Sequence, residues 1–246
     1  MTTRGKGILK IGLIVVTAAL VVAAVGFLAW TQIAGYSAFP EAVALAETAE
    51  TSEGWYVFEP GEPTRTGLIF YPGGLVDPAA YAPLMRQVSE RGILAVIVPM
   101  PLNLAVLGAD RASEVIAAYP AIDRWILGGH SLGGTMAAGY AKDNPDAVEG
   151  LVLLASYPSG STDLSALPID AVSVYGTKDG VAGNDPAAAV DLLPPETPLV
   201  VVEGGNHAQF GDYGPQKGDG TATISRAEQQ AQAARAIAEL AERLEQ

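Results

Sequence analysis

Cysteine is absent from the sequence, which excludes disulfides, thiolate metal sites, a cysteine nucleophile, CxxC redox chemistry and a lipid-modified cysteine together. Histidine is almost absent. His130 and His207 are the only two, too few for a histidine metal cage, so neither a metal nor a cofactor is expected. Acidic residues are missing before Glu41, and basic ones are scarce throughout, 14 against 27 acids. Three of the 14 (Arg4, Lys6, Lys10) come before an apolar run; beyond it 11 basic residues face 27 acidic ones, a balance of −16. A body that acidic repels phosphate backbones, which argues against nucleic acid as a partner. Neither a Walker loop nor a dinucleotide fingerprint occurs, and there is no internal repeat. The hydrophobic fraction of 49% nevertheless marks a globular chain, and setting aside the first 40 of 246 residues leaves 206, enough for one domain with a sizeable core.

The apolar run, Ile11 to Trp30, carries no charge. At about 1.5 Å per helical residue it spans the roughly 30 Å hydrocarbon core of a bilayer. Arg4, Lys6 and Lys10 then predict a cytoplasmic N-terminus and an extracytoplasmic remainder. A retained anchor is favoured by the length of the run. A cleavable signal peptide is the alternative, with a weak cleavage site at Ala24-Val25-Gly26, and would make the protein secreted. The sequence divides accordingly into a cytoplasmic tip and transmembrane anchor (1–40), a linker (41–54) and a catalytic-type domain (55–246).

Short apolar runs recur along that domain: Trp55 to Phe58, Gly67 to Tyr71, Ile93 to Val98, Trp125 to Leu127, Leu151 to Leu154, Val172 to Tyr175 and Leu199 to Val202. Several lack polar alternation and read as strands buried on both faces. Between them lie helix-start signals. Asp77-Pro78 joins an N-cap to a first-turn proline, and Ser225-Arg-Ala-Glu228 is a capping box. The pattern predicts an α/β fold, a mostly parallel sheet with helices on both faces, and chemistry at the carboxyl ends of the strands.

At one such end, Gly128-Gly-His-Ser131-Leu-Gly-Gly134 follows an apolar strand and leads into Thr135-Met-Ala-Ala-Gly-Tyr-Ala, a helical stretch. This is the strand-turn-helix setting of a G-x-S-x-G nucleophile elbow. Gly129 and Gly133 supply the close approach such a turn needs, and Ser131 is the candidate nucleophile. His130, beside it, is expected to point away from the Oγ and to pack or support. A serine hydroxyl needs a base and the base a carboxylate. His207, in the Gly-rich loop after the last strand, is the remaining base. Asp179, in the turn after the strand at Val172, is the preferred acid, with Asp185 and Asp163 as alternatives. Oxyanion donors are expected from the amide of Leu132 and from the loop after an early strand, through Gly74 or Leu75, Pro72 having no N–H.

These residues resemble the α/β-hydrolase superfamily. More narrowly, Tyr71-Pro-Gly-Gly-Leu-Val-Asp-Pro-Ala-Ala-Tyr-Ala-Pro-Leu, Gly-His-Ser131-Leu-Gly-Gly, Tyr-Gly-Thr-Lys-Asp179-Gly and Gly-Gly-Asn-His207-Ala-Gln-Phe-Gly-Asp-Tyr-Gly are similar to a group of small bacterial α/β-hydrolases, many of them membrane-anchored or exported. The resemblance runs from about Trp55 to the C-terminus and implies a carboxylic-ester or related acyl hydrolase working through Ser131, His207 and Asp179. Tyr-Pro-Gly-Gly stands where lipases often carry His-Gly. Only Ala155 to Asp170 separates the strands at Leu151 and Val172, too little for a large cap domain, so an open, shallow pocket is expected, with Met100, Leu102 and Leu104 on its acyl side or in the core. Asp212 and Asp219, in the turn-rich stretch after His207, lack EF-hand spacing and point to a structured loop.

The function expected is therefore a membrane-tethered serine hydrolase for a small or lipid-like ester, with an acyltransferase using the same triad or a catalytically idle binding scaffold as alternatives. The acidic surface disfavours strongly anionic substrates. Oligomeric state is left open.

Overall fold

The computed structural model describes residues 3–182 and 187–246, which fall into two compact units divided between Gly35 and Tyr36. The first unit is helix α1 (Thr3–Ile33), in which Val15–Ile33 is apolar and long enough to cross a membrane.

The second unit is built on an eight-stranded sheet: β1 (Glu50–Ser52), β2 (Trp55–Phe58), β3 (Thr66–Tyr71), β4 (Leu94–Ile97), β5 (Arg124–His130), β6 (Gly150–Leu154), β7 (Asp170–Gly176) and β8 (Leu199–Val202). Their order is β1-β2-β4-β3-β5-β6-β7-β8. The pairs β1–β2 and β2–β4 are antiparallel and the other pairs are parallel. All seven apolar runs of the sequence coincide with strands, β4 being one residue shorter at each end than the run Ile93 to Val98. The additional strand, β1, is polar and sits at the edge of the sheet, where no apolar signal is required.

The helices of this unit are α2 (Pro40–Ala46), α3 (Ala82–Ser89), α4 (Ala112–Ala118), α5 (Leu132–Asp143), α6 (Ala187–Val190) and α7 (Arg226–Leu244). Alternation along the central strands divides the core in two. Leu68 and Phe70 of β3 face one cluster with Leu84 and Met85 of α3 and Ile237 and Leu240 of α7. Ile69 and Tyr71 face a second cluster with Ala112 and Val115 of α4 and Ala137, Ala138 and Ala141 of α5. Helices thus cover both faces, the condition for a parallel sheet whose strands are buried throughout.

The helix starts follow their local signals. Asp77 accepts from the Ala79 amide and Pro78 opens a 3₁₀ turn that continues into α3. Ser225 and Glu228 form a reciprocal capping box at α7. Residues 36–54, taken in part as anchor and in part as linker, are built into the domain instead: Ala42 and Ala46 of α2 are buried, and β1 pairs with β2. Upstream of α2, Tyr36 bridges Val76 and Ala38 bridges Tyr213. The connection from β6 to β7, residues 155–169, contains no helix.

Candidate active site

The turn after β5 puts Ser131 at φ 52°, ψ −122°, a backbone conformation that strains a residue with a side chain by about 1–3 kcal/mol. Surrounding bonds hold it there. The Ser131 amide donates to Leu154 O (3.0 Å), and its carbonyl accepts from Thr135 N (3.1 Å) and the Ser156 hydroxyl (2.7 Å). The turn leaves no room for a side chain at Gly129 or at Gly133. A Cβ on Gly129 would lie 2.5 Å from Gly133 C, and one on Gly133 only 2.1 Å from Tyr71 O.

Asp179 and His207 lie in the loops after β7 and β8, neighbouring parallel strands, so their side chains meet at one sheet edge. His207 Nδ1 is 2.9 Å from Asp179 Oδ2. A carboxylate only accepts, so Nδ1 carries the proton. The other carboxylate oxygen accepts from the amides of Val181 and Ala182, each at 2.8 Å. Asp179 is 1% exposed and His207 fully buried. Asp163, one alternative acid, is exposed and caps its own turn through Ser165. Asp185, the other, lies outside the described residues.

His207 Nε2 is buried and has no hydrogen-bond partner among the described residues. Such an atom is costly unless it has a use. The ring of His207 packs 4.5 Å, centroid to centroid, from that of His130, the residue preceding Ser131. Ser131 itself is half-buried and open to solvent on one side.

The donors sort themselves by what their amides already do. The Leu75 amide donates to Asn103 O (2.7 Å), and that of Gly73 to the Tyr81 hydroxyl (2.9 Å). Leu75, expected as an alternative oxyanion donor, is therefore occupied. The amides of Gly74 and of Leu132, the first residue of α5, have no acceptor among the described residues. The two are neighbours, since a Cβ on Gly74 would lie 3.1 Å from Leu132 Cδ2. Of the apolar residues expected around a pocket, Met100 is buried in the second core cluster, whereas Leu102 and Leu104 are half-buried.

Two supporting residues, Ser156 and Tyr81, were not singled out from the sequence, and a third, Asp219, was assigned there only to a structured loop. Ser156 fixes the Ser131 carbonyl, Tyr81 links Gly73 to His130, and Asp219 accepts four backbone amides. Asp212 instead accepts from Gln230 (2.6 Å), and burial raises its carboxyl above the usual range. The two aspartates thus serve the structured loop expected after His207.

The arrangement is suited to acyl transfer: a hydroxyl at a helix start, a buried acid–base pair and two free amides. The family model described as "Alpha/beta hydrolase family" matches residues 67–231. The chain belongs to the alpha/beta hydrolase family. No curated protein matches it, but solved structures share the fold of this alpha/beta hydrolase. A thermophilic esterase from Thermogutta terrifontis is similar at 13% identity and TM-score 0.57, over 81% of this chain and 98% of the other. The esterase domain of a Rhodothermus marinus protein is similar at 12% identity and TM-score 0.56, over 79% and 96%. An alpha/beta hydrolase enzyme from a sediment metagenome of the Mar Chica lagoon, Morocco, gives 20% identity and TM-score 0.52, over 65% and 89%.

Proposed function

We propose that this alpha/beta hydrolase is a serine hydrolase of carboxylic esters or related acyl compounds, acting through an acyl-enzyme. His207 Nε2 takes the proton of Ser131 Oγ as the oxygen attacks the acyl carbonyl. The oxyanion accepts from the amides of Leu132 and Gly74. Imidazolium formed at His207 is stabilised by Asp179 and returns the proton to the leaving alkoxide. Water, deprotonated by His207, then attacks the acyl carbonyl, and Ser131 leaves with its proton restored.

The observation that carries this reading is the buried Asp179–His207 pair, whose Nε2 has no partner among the described residues and whose imidazole packs against His130, the residue before a serine in a strained turn. Strain of that kind persists only where surrounding structure enforces it. The open β6–β7 connection favours an accessible pocket for a small or lipid-like ester. The acidic body, at −16 beyond the apolar run, disfavours strongly anionic ones. The apolar segment of α1 fits a membrane anchor with the hydrolase domain on the extracytoplasmic side.

Hydrolysis of short- and medium-chain p-nitrophenyl esters tests the proposal. Ser131→Ala and His207→Ala should lose at least a thousandfold in kcat and Asp179→Asn a comparable amount. Equal rates in parent and Ser131→Ala would overturn it.

A further inference from the structure

We propose that Asp219 is a positioning residue for the acid–base pair, an inference that rests on the serine-hydrolase reading. Its Oδ1 accepts from the amides of Gly180 (3.2 Å), His207 (3.1 Å) and Gly220 (2.8 Å), and its Oδ2 from that of Ala208 (2.9 Å). Gly180 directly follows Asp179; His207 and Ala208 are the base and its successor. One carboxylate therefore joins the loop after β7 to the loop after β8 at the two residues whose side chains must meet.

The chain around this carboxylate is closely fitted. A Cβ on Gly180 would lie 2.4 Å from Gly218 O, and one on Gly220 only 2.1 Å from Lys178 O. Asn206 Nδ2 donates to Gly220 O (2.8 Å) and Lys178 N to Gly205 O (2.8 Å), so segments 178–180, 205–208 and 218–220 form one knot. Asp219 is the side chain within it that accepts from all three segments. A neutral side chain could close the loop, but it would offer fewer acceptor sites to amides that converge from three directions. Asp219 does not touch the reacting atoms. It acts through the backbone of Asp179 and His207, where a displacement of an ångström costs on the order of a hundredfold in rate.

The test uses the full-length chain in detergent. Active sites are titrated with a fluorophosphonate, and kcat and KM for a p-nitrophenyl ester are expressed per titrated site, which removes any unfolded fraction. Asp219→Asn, which keeps one acceptor oxygen and loses the Ala208 bond, should lower kcat about tenfold; Asp219→Ala should lower it about a hundredfold, with KM within twofold in both. Should Asp219→Ala be too unstable to isolate, Asp219→Asn carries the same test. Per-site kcat within twofold of the parent, with or without a lower Tm, would make Asp219 a loop-holding residue only and overturn the proposal. A parent chain that neither labels nor turns over would instead sink the serine-hydrolase reading, and this proposal with it.

Discussion

The imidazoles of His130 and His207 pack against one another, 4.5 Å between centroids at an interplanar angle of 50°. They differ in what their Nδ1 atoms meet, a carboxylate at His207 and a hydroxyl at His130. His130 Nδ1 lies 2.8 Å from the Tyr81 hydroxyl, whose oxygen accepts the Gly73 amide at 2.9 Å, so the hydroxyl proton points to Nδ1 and His130 is the neutral Nε2–H tautomer. Burial, and then the adjacent His207, hold His130 well below the ordinary histidine value. In the mechanism proposed above, its neutrality spares His207 a second cation at van der Waals distance when the imidazolium forms.

This neutrality links stability to pH. Unfolded, His130 takes up a proton near pH 6.5, whereas folded it does not until the pH is well below that. The unfolded state therefore binds more protons in that window, and stability falls as pH drops below about 6.5. Thermal melts from about pH 7.5 to 5 should show a steeper loss of Tm in the parent than in His130→Asn, which cannot titrate. Parallel curves would refute the assignment.

Tyr81→Phe removes the oxygen joining Gly73 to His130 and leaves a buried amide and a buried ring nitrogen without partners. A loss of about 1–3 kcal/mol in denaturant unfolding follows for each group left unsatisfied. The loop bearing Gly74 loosens as well, so kcat should drop by roughly tenfold while KM changes little. A variant with parental kcat would separate this loop from oxyanion binding.

The strain at Ser131 predicts opposite effects for two inactive variants. Ser131→Ala keeps a Cβ at φ 52°, whereas Ser131→Gly relieves it. Urea unfolding should find Ser131→Gly more stable than Ser131→Ala by about 1 kcal/mol. The reverse order would mean that the turn carries no strain.

The segment before α2 also has a role that truncation exposes. Tyr36 N donates to Leu75 O (2.8 Å), Asp77 N to Tyr36 O (2.9 Å) and Phe39 N to Asp212 O (2.8 Å), while the Arg226 guanidinium covers the Phe39 ring. These residues tie the Gly74 loop to the stretch after His207. A chain beginning at residue 41 should be less stable than one beginning at residue 36 by about 2–4 kcal/mol, given the usual worth of three such bonds. Indistinguishable unfolding curves would count against it.

Much of the fold was readable because a parallel sheet covered on both faces demands uninterrupted apolar strands, and all seven such runs are strands. β1 was not, being short, polar and at the edge. The elbow is a local feature, so Gly129, Ser131 and Gly133 disclose it from one stretch of sequence. Choosing between Gly74 and Leu75 was beyond sequence reasoning, because it depends on a carbonyl from Asn103, which a turn with positive φ at Leu102 and Asn103 delivers. The bridging role of Asp219 was hidden for the same reason: its four amides come from segments that only the fold brings together.

Mass spectrometry of the intact chain after reaction with a fluorophosphonate tests the central claim most directly. An activated Ser131 gives one adduct per chain, mapped to Ser131, absent in Ser131→Ala and slowed at least a hundredfold in His207→Ala. An unlabelled parent, or an adduct that persists in Ser131→Ala, would contradict it.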